Sequence, residues 1–586
     1  MIKPTQILER QPNPATFDAA KGLGLTDLQA MLVANRLQNP QQLDEIVFPK
    51  LKHIQPPLEL KNADFAAKLI ADAVQSGQTI VLATDYDTDG VTSAWVATTA
   101  LSDFFGVNPQ RIRHIIGERK SGYGITDEVV DRILAIEEPV ALVISADQGS
   151  SDEARIARLK EAGIPVCVTD HHQLPIEGPP PSAVCTVNPQ QSGCDYDKTV
   201  AGCFVIFLVM AQVRQELISR GYLSAQTPSL KPLALNVSLG TVADSVSLKS
   251  PNNRAIVRTG LQMINRFQSP AWQAMKELND NQGQPFDAEF LGFQVATRIN
   301  AASRVSDVTT AFHFLTAHDL SQAKSYLQQL DEDNLNRREQ QNEMLLQAKE
   351  RARELYHPNK YSLAVKLQGN AGIQGIIASR IGEQYGVPTV AMTDLEDGFL
   401  AGSGRGIVDE VDLRAAFQWM SEQDSELFSS MGGHKGAAGC MIPIEKYPLF
   451  SELFETAIQA QLGTTAPSPR VFTDGQLHPS QLTPPLIQEI NALEPFGREW
   501  PKPLFKGIFR ISSIKSVGQT QTHLSLKLSS DQGTEHSAIF FNGKESAHDQ
   551  DPFSSGDWIE CAYQPALNRF FGRTNIQLRI QAAHKL

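Results

Sequence analysis

The six cysteines of this 586-residue chain, Cys167, Cys185, Cys194, Cys203, Cys440 and Cys561, include no C-x-x-C pair. That removes zinc-ribbon and dithiol redox motifs and leaves reduced thiols of a cytosolic protein as the default. Basic residues are not in excess: the formal net charge is −13. A protein basic all over is excluded, but nucleic acid is not, because a local groove can be positive and bound metal can supply the missing charge. Long apolar runs are missing too. The longest, VAGCFVIFLVMAQV at 200–213, is too short to span a bilayer and reads as a buried helix, so no membrane association is expected. The opening MIKPTQILERQPNP has no apolar core segment, so no secretory signal is expected and the cytoplasm is the expected location. There is no internal repeat and no low-complexity tract. What remains is an ordinary globular composition, 41% hydrophobic and 20% charged, in a chain long enough for three or four domains.

From about residue 65 to 190, apolar runs alternate with amphipathic helical patterns, which predicts a parallel sheet with crossover helices. The expected strands are TIVLAT (79–84), RIRHII (111–116), VALVISA (140–146), PVCVT (165–169) and AVCTV (183–187). Residues 321–356 contain neither Gly nor Pro and are rich in helix formers. Their sparse apolar positions predict a long helix that bridges two domains instead of filling a core. A second α/β pattern follows to about 462, TTAPSPR (464–470) looks like a linker, and the remaining short strand patterns predict a small β-barrel or sandwich. The expected division is an N-terminal segment at 1–48, an α/β domain at 49–318, a connecting helix at 319–358, a second α/β domain at 359–463 and a β-barrel domain at 464–586.

One short stretch carries the chemistry. TDYDTDG (84–90) sets Asp85, Asp87 and Asp89 one residue apart and closes on Gly90. Three carboxylates so close repel one another unless a cation lies between them. D-x-D-x-D-G opens an EF-hand loop, but the twelfth position is Val96 instead of a bidentate Glu, and a strand pattern precedes the motif where an EF-hand needs a helix. The local unit is strand, acidic turn, helix, the setting in which open α/β sheets bind ligands. A solvated acidic turn is the bland alternative, and other acids must converge to displace it.

They are present. VALVISAD ends in Asp147, PVCVTDHH in Asp170, His171 and His172, and LGTVADSVSL places Asp244 after an apolar segment. Each ends a hydrophobic run, so parallel packing is expected to bring them to one edge. A lone Asp after a strand usually caps a helix, but Asp followed by two histidines is a more specific signal. Carboxylates with imidazoles suit manganese, or magnesium where oxygen ligands dominate. Two such ions are the usual device for phosphoester hydrolysis.

In this order and spacing, DYDTDG, the Asp of SADQG, DHH and the Asp of VADSV resemble the DHH phosphoesterase superfamily. GERKSGYG (117–124), RINAASR (298–304), QGIIASR (374–380), GSGRG (402–406), GGHKGAAG (432–439) and LEPFGREWPKPLF (493–505) look like its RecJ branch, over nearly the whole chain. The resemblance implies a parallel-sheet DHH domain, a DHH-associated α/β domain and an OB-type nucleic-acid-binding barrel. It implies a 5′-to-3′ exonuclease on single-stranded DNA that releases mononucleotides in recombination and repair. Asp85, Asp87, Asp89, Asp147, Asp170, His171 and Asp244 would form a two-metal site for Mn2+ or Mg2+, with Asp87 and Asp89 also counted as catalytic. His172 would face the scissile phosphate, and Arg304 would stabilise phosphoryl charge, which suits a planar guanidinium. Arg119, Ser403 and Arg405 would hold a 5′-terminal phosphate. Arg298, Asn300, Gly432, Gly433 and His434 would also bind substrate. A passage between the two α/β domains would admit one strand. Phe540, Phe541, Phe570 and Phe571 are candidates for base stacking, but barrel core is the expected reading for them. A single-strand-binding protein and a helicase are the implied partners, and the chain is expected to be a monomer.

The chain departs from that family pattern at Gly117-Glu118-Arg119, where Pro-Asn-Arg is usual, and at Gln148-Gly149-Ser150-Ser151, Ser303 and Gly369-Asn370-Ala371. None removes an expected metal ligand, so a divergent member with altered end recognition or processivity is expected. Two rival readings are a phosphodiesterase acting on short oligonucleotides or cyclic dinucleotides, and a catalytically silent DNA-binding scaffold.

Overall fold

The computed structural model describes residues 3–279, 283–395, 398–531, 533–570 and 573–586. It divides into two compact units. One comprises Asn13–Asn334 with Asn491–Lys502; the other comprises Met1–Pro12, Leu335–Ile490 and Pro503–Leu586.

The first unit is built on a five-stranded, all-parallel sheet in the order Ile112–Ile116, Thr79–Thr84, Val140–Ala146, Val166–Thr169, Cys185–Val187. These are the five runs that the hydrophobic pattern predicts. Every residue of Thr79–Thr84 is buried, as expected of a strand with helices on both faces. The apolar run at 200–213 lies in the helix Gly202–Ser219, which is long and apolar enough to cross a membrane by composition. Here it is a core helix, with Phe204, Val205, Leu208, Val209 and Val213 sealed from solvent.

A strap from late in the chain, Asn491–Lys502, belongs to this unit. Arg254, fully buried on the helix Pro251–Ile264, donates to the carbonyls of Leu493 (2.8 Å), Pro495 (3.0 Å) and Leu248 (3.1 Å). Its guanidinium lies 4.4 Å from the ring centre of Trp500. Arg36 donates to the carbonyl of Pro501, and Lys502 is paired with Asp287 and Glu289.

The second unit holds a mixed five-stranded sheet in the order Ser430–His434, Ala437–Pro443, Phe399–Arg405, Thr389–Asp394, Leu363–Leu367. It also holds a closed barrel whose strands run Phe505–Val517, His523–Ser529, Glu535–Phe540, Arg573–Lys585, Trp558–Phe570 around the ring. In His523–Ser529 the side chains of Leu524, Leu526 and Leu528 alternate inward, the period-two pattern of a half-buried strand. Phe541 is not barrel core: it is 54% exposed, edge-on to His523. Phe540 is half-buried, while Phe571 and the side chain of Phe570 lie outside the described residues.

The expected long helix runs from Leu320 to Leu355. It does more than bridge. Met344, Ala348 and Ala352, spaced four apart on one face, pack into the core of the second unit with Val365, Ile373 and Ile377. Its small residues let the helix approach that core closely, which the count of apolar positions alone did not reveal.

Candidate metal centre

Strand Thr79–Thr84 delivers the acidic turn. Asp87 caps the next helix, Thr88–Thr99, accepting from the backbone N–H of Asp89 (2.8 Å) and Gly90 (3.1 Å). Gly90 permits the turn because a Cβ there would come within 2.2 Å of the Asp85 carbonyl oxygen. Asp89 points the other way, into the start of the helix Gly202–Ser219. It accepts from Gly202 N–H at 2.7 Å and Cys203 N–H at 2.9 Å, where a helix N-terminus favours negative charge.

Asp147 follows strand Val140–Ala146 in a left-handed conformation, φ 62°. Asp170, His171 and His172 follow strand Val166–Thr169. Asp244 arrives differently from the strand-end expectation. The apolar run before it is the helix Ala234–Ala243, and Asp244 is its C-cap. A ten-residue apolar run is long for a strand and ordinary for a buried helix. The carboxylate therefore sits at the negative end of a helix dipole, which makes its need for a cation greater.

The side chains converge into three overlapping sets whose potential ligand atoms lie within 4.8 Å of one another: Asp147, His171 and His172; Asp89, His171 and Asp244; Asp85, Asp87 and Asp147. Nε2 of His171 is 3.2 Å from an Asp147 oxygen and 3.7 Å from an Asp244 oxygen. Yet His171 Nε2, Asp147 Oδ1 and Asp85 Oδ1 are buried without a hydrogen-bond partner among the described residues. Buried polar atoms are ordinarily satisfied, so three orphans facing one another mark the place of a shared ligand. Burial and neighbouring carboxylates push Asp85, Asp147 and Asp244 well above the usual carboxylate range. Burial and Asp89 raise Asp87 as well. Crowded, oxygen-rich donors with one imidazole fit Mn2+ or Mg2+.

Asp170 is the exception. Burial opposes its charge, but His172 and His171 beside it and the Ser150 N–H outweigh that and hold it below the usual range. The Asp170 carboxylate is 2.8 Å from His172 Nδ1. Although burial works against a charged ring, Asp170 raises His172 to about 9.

Several residues that the motifs did not single out position this group. Tyr123, in the Gly-Tyr-Gly turn, donates its hydroxyl to the Asp147 carbonyl (2.9 Å) and lies 2.9 Å from His172 Nδ1. The fully buried Asn188 donates to the His172 carbonyl and to Ser150 Oγ, both at 2.9 Å. Arg498 of the strap donates to the carbonyl of Ser245, the residue after Asp244, while its own carbonyl accepts from Leu248 N–H. The Gly-Tyr-Gly turn and the LEPFGREWPKPLF stretch around Arg498 left a sequence signal, and Asn188 left none.

The expected substrate residues divide between the units. In the first, Arg119 stacks 4.3 Å over the Tyr86 ring and its charge acts on Asp85 and Asp87. The Arg304 charge acts on Tyr86. Asn300 accepts from Thr88 N–H and Oγ, both at 2.8 Å, and so ties the helix Thr297–Val305 to the acidic turn. Arg298 is committed to Asp331 at 2.8 Å and to the Gln294 carbonyl. In the second unit, Arg405 donates to Ser403 Oγ at 3.1 Å and packs on Gly375, where a Cβ would come within 2.4 Å of its guanidinium. Gly432, Gly433 and His434 form the exposed edge strand Ser430–His434. At Gly433, φ 137°, a Cβ would come within 2.4 Å of the Ala437 carbonyl. Among the departures, Gly369 has φ 132° and no room for a side chain beside Met344, and Asn370 caps the turn that follows it. Gln148 is fully buried with no hydrogen-bond partner for its amide among the described residues.

Family models match three segments: the DHH family N-terminal domain at residues 79–235, the DHHA1 domain at 359–460 and the RecJ OB domain at 473–582. The single-stranded-DNA-specific exonuclease RecJ of Haemophilus influenzae is 31% identical over 566 residues, 94% of this chain and 95% of that protein. The Escherichia coli protein of the same name is 29% identical over 573 residues, again 94% and 95% of the two chains. The crystal structure of Thermus thermophilus RecJ with Mn2+ superposes with a TM-score of 0.77 at 23% identity, covering all of this chain and 80% of that one. A manganese-bound exonuclease RecJ, 27% identical, covers 68% of this chain and 94% of its own, with a TM-score of 0.54. With its acidic centre on the parallel sheet, its second α/β sheet and its closed barrel, the chain belongs to the RecJ family of the DHH superfamily.

Proposed function

We propose that this protein is a metal-dependent exonuclease that degrades single-stranded DNA from the 5′ end to mononucleotides during recombination and repair. The observation that carries the proposal is the convergence of Asp85, Asp87, Asp89, Asp147, His171, His172 and Asp244 around buried ligand atoms unpartnered among the described residues, with Asp170 joined to the group through His172. Two divalent ions, Mn2+ or Mg2+, are assigned to the seven residues of that group other than His172. When bound, they acidify water at neutral pH and draw off phosphoryl charge. The His172 ring is held by Asp170 and oriented by Tyr123. It is assigned to donate a hydrogen bond to the scissile phosphate and a proton to the leaving oxygen. Arg304 supplies fixed positive charge near Tyr86, and Arg119 does so beside Asp85 and Asp87. Ser403 and Arg405 are assigned to a terminal phosphate, because burial presses Arg405 toward neutrality and an anion would relieve that cost. Exposed Phe541 offers a stacking surface on the barrel.

The six free, buried thiols suit a reducing compartment, so the cytoplasm is the proposed location. Strands opened by a helicase and coated by a single-strand-binding protein are the proposed substrates, met by a monomer. The test uses one oligonucleotide labelled separately at each end, with Mn2+, with Mg2+, with chelator and as a blunt duplex. Release of a labelled mononucleotide from the 5′ end alone, lost with chelator, on duplex and in Asp87→Ala, is expected. Equal activity in Asp87→Ala, or release from the 3′ end, would overturn the proposal.

A further inference from the structure

Away from the acidic centre, the first unit carries a cleft of about 440 Å3 that contains four cationic side chains and no carboxylate in its lining. Lys50 follows the short helix Leu43–Val47, Lys231 precedes the helix Ala234–Ala243, and Arg258 and Arg266 lie along and just past the helix Pro251–Ile264. None of the four pairs with an acid within 4.0 Å among the described residues. In a chain of net charge −13, acids to pair with them are plentiful, so an acid-free cluster of cations is a specific arrangement. Arg258 is held in place by the Val47 carbonyl at 3.5 Å. Behind it lies the buried guanidinium of Arg254, which feels the Arg258 charge as repulsion. The helix dipole accounts for Arg266, which stands past a C-terminus. It does not account for Lys50 and Lys231, which come from other elements. Phe48, 38% exposed, adds an aromatic face to the same cleft, and Thr259 and Gln262 add neutral hydrogen-bonding groups.

We propose that this cleft is a second binding site for the sugar–phosphate backbone of the single-stranded substrate, with Lys50, Lys231, Arg258 and Arg266 neutralising phosphates and Phe48 stacking on a base. Asp244 leaves the opposite end of the helix Ala234–Ala243 from Lys231. At 1.5 Å per residue those two points are about 15 Å apart along the axis. The cleft is therefore separate from the metal centre, and only a strand of several nucleotides reaches both. Charge complementarity and the presence of an aromatic face favour a nucleic-acid strand over an acidic peptide, which has no bases to stack. The inference rests on the proposed substrate class.

The experiment measures binding of a fluorescent single-stranded oligonucleotide to the full chain across a salt series, with chelator present to prevent cleavage. The comparison is with a variant carrying Lys50→Gln, Lys231→Gln, Arg258→Gln and Arg266→Gln, and with Phe48→Ala alone. Each lost phosphate contact reduces the slope of log K against log salt by about 0.7. A flatter slope by about two to three, with affinity weakened roughly ten- to a hundred-fold near 0.1 M salt, is expected. Phe48→Ala should weaken binding at every salt concentration without changing the slope. Unchanged melting and unchanged Mn2+ affinity in the quadruple variant show that the fold is intact. An unchanged slope and affinity would overturn the proposal. So would loss of acidic-peptide binding with strand binding retained, which would make the cleft a protein-docking site. Failure of the wild-type chain to degrade the strand with Mn2+ would instead count against the proposed function, which the salt series does not measure.

Discussion

Arg254→Met removes the cation that holds the strap Asn491–Lys502 in the unit bearing the metal centre. In the native chain one guanidinium satisfies the carbonyls of Ile46, Leu248, Leu493 and Pro495 and covers the face of Trp500. Methionine fills similar length but donates nothing. Four carbonyls lose a charged donor; that of Leu493 keeps the Trp500 indole N–H at 3.1 Å, and each of the others, left as an unsatisfied buried acceptor, costs about 1–3 kcal/mol. Those losses are not additive, because the strap can shift to recover water. The variant is also freed from burying a charge, and burial pulls Arg254 down to about 9. A net loss of about 3–5 kcal/mol is expected, a large share of the stability of a typical domain. Global melting is a poor reporter in a chain with two units, whose unfolding need not be two-state. Hydrogen exchange in the strap is a better one. The N–H groups of Gly497, Trp500 and Leu248 are hydrogen-bonded within this region, and 3–5 kcal/mol corresponds to exchange faster by roughly two to three and a half orders of magnitude. Since Leu248 follows Asp244 by four residues, Mn2+ affinity should fall as well. Arg254→Lys keeps the charge but only part of the donor fork and should be intermediate. Native protection across the strap in Arg254→Met, with unchanged Mn2+ affinity, would refute the reasoning.

Gly202→Ala places a methyl 2.5 Å from an Asp147 oxygen; Mn2+ affinity measured by spin resonance should drop at least ten-fold while overpacking costs about 1–3 kcal/mol, and an unchanged affinity would show that Asp147 is not a ligand. Arg498→Gln removes a charge that acts on Asp244, so Mn2+ should bind a few-fold more tightly while KM for the strand rises; weaker metal binding would mean that Arg498 serves only to hold the loop. His114 gives a pH dependence away from the metal. Burial, then His313, lowers its pKa from 6.5 to about 4. Thr98 Oγ lies 2.8 Å from its Nε2 and its Nδ1 is buried without a partner among the described residues, so a second proton there would meet no acceptor among them. The unfolded chain binds the extra proton first, so this stability is complete above about pH 6.5 and is lost as the pH falls toward 4, by about 1–3 kcal/mol. His114→Phe should flatten the acid limb of a denaturation series, and an unchanged limb would refute the assignment.

Local pattern was enough for the parallel sheet, because its strands are short runs rich in β-branched residues, wholly buried at Thr79–Thr84 and exposing Arg113 at the edge strand Ile112–Ile116. It was also enough to expect Asp85, Asp87, Asp89, Asp147, Asp170 and His171 at one sheet edge, because residues at the ends of neighbouring parallel strands are close in space. The barrel strands were legible for a related reason, their period-two alternation. Asp244 was visible as a residue but not as the end of a helix, since an apolar run reads alike in strand and buried helix. The positions of Tyr123, Asn188, Asn300 and Arg498 were decided by tertiary structure alone. Each acts through one or two hydrogen bonds to partners far away in sequence, and so few contacts leave no periodicity. The same holds for Arg254 and its strap, 239 and 241 residues apart at Leu493 and Pro495. Sequence by itself determined which elements form and which carboxylates share an edge, because those follow from short-range pattern. Only the folded chain decided what holds the carboxylates in place, because that depends on where distant backbone carbonyls come to rest.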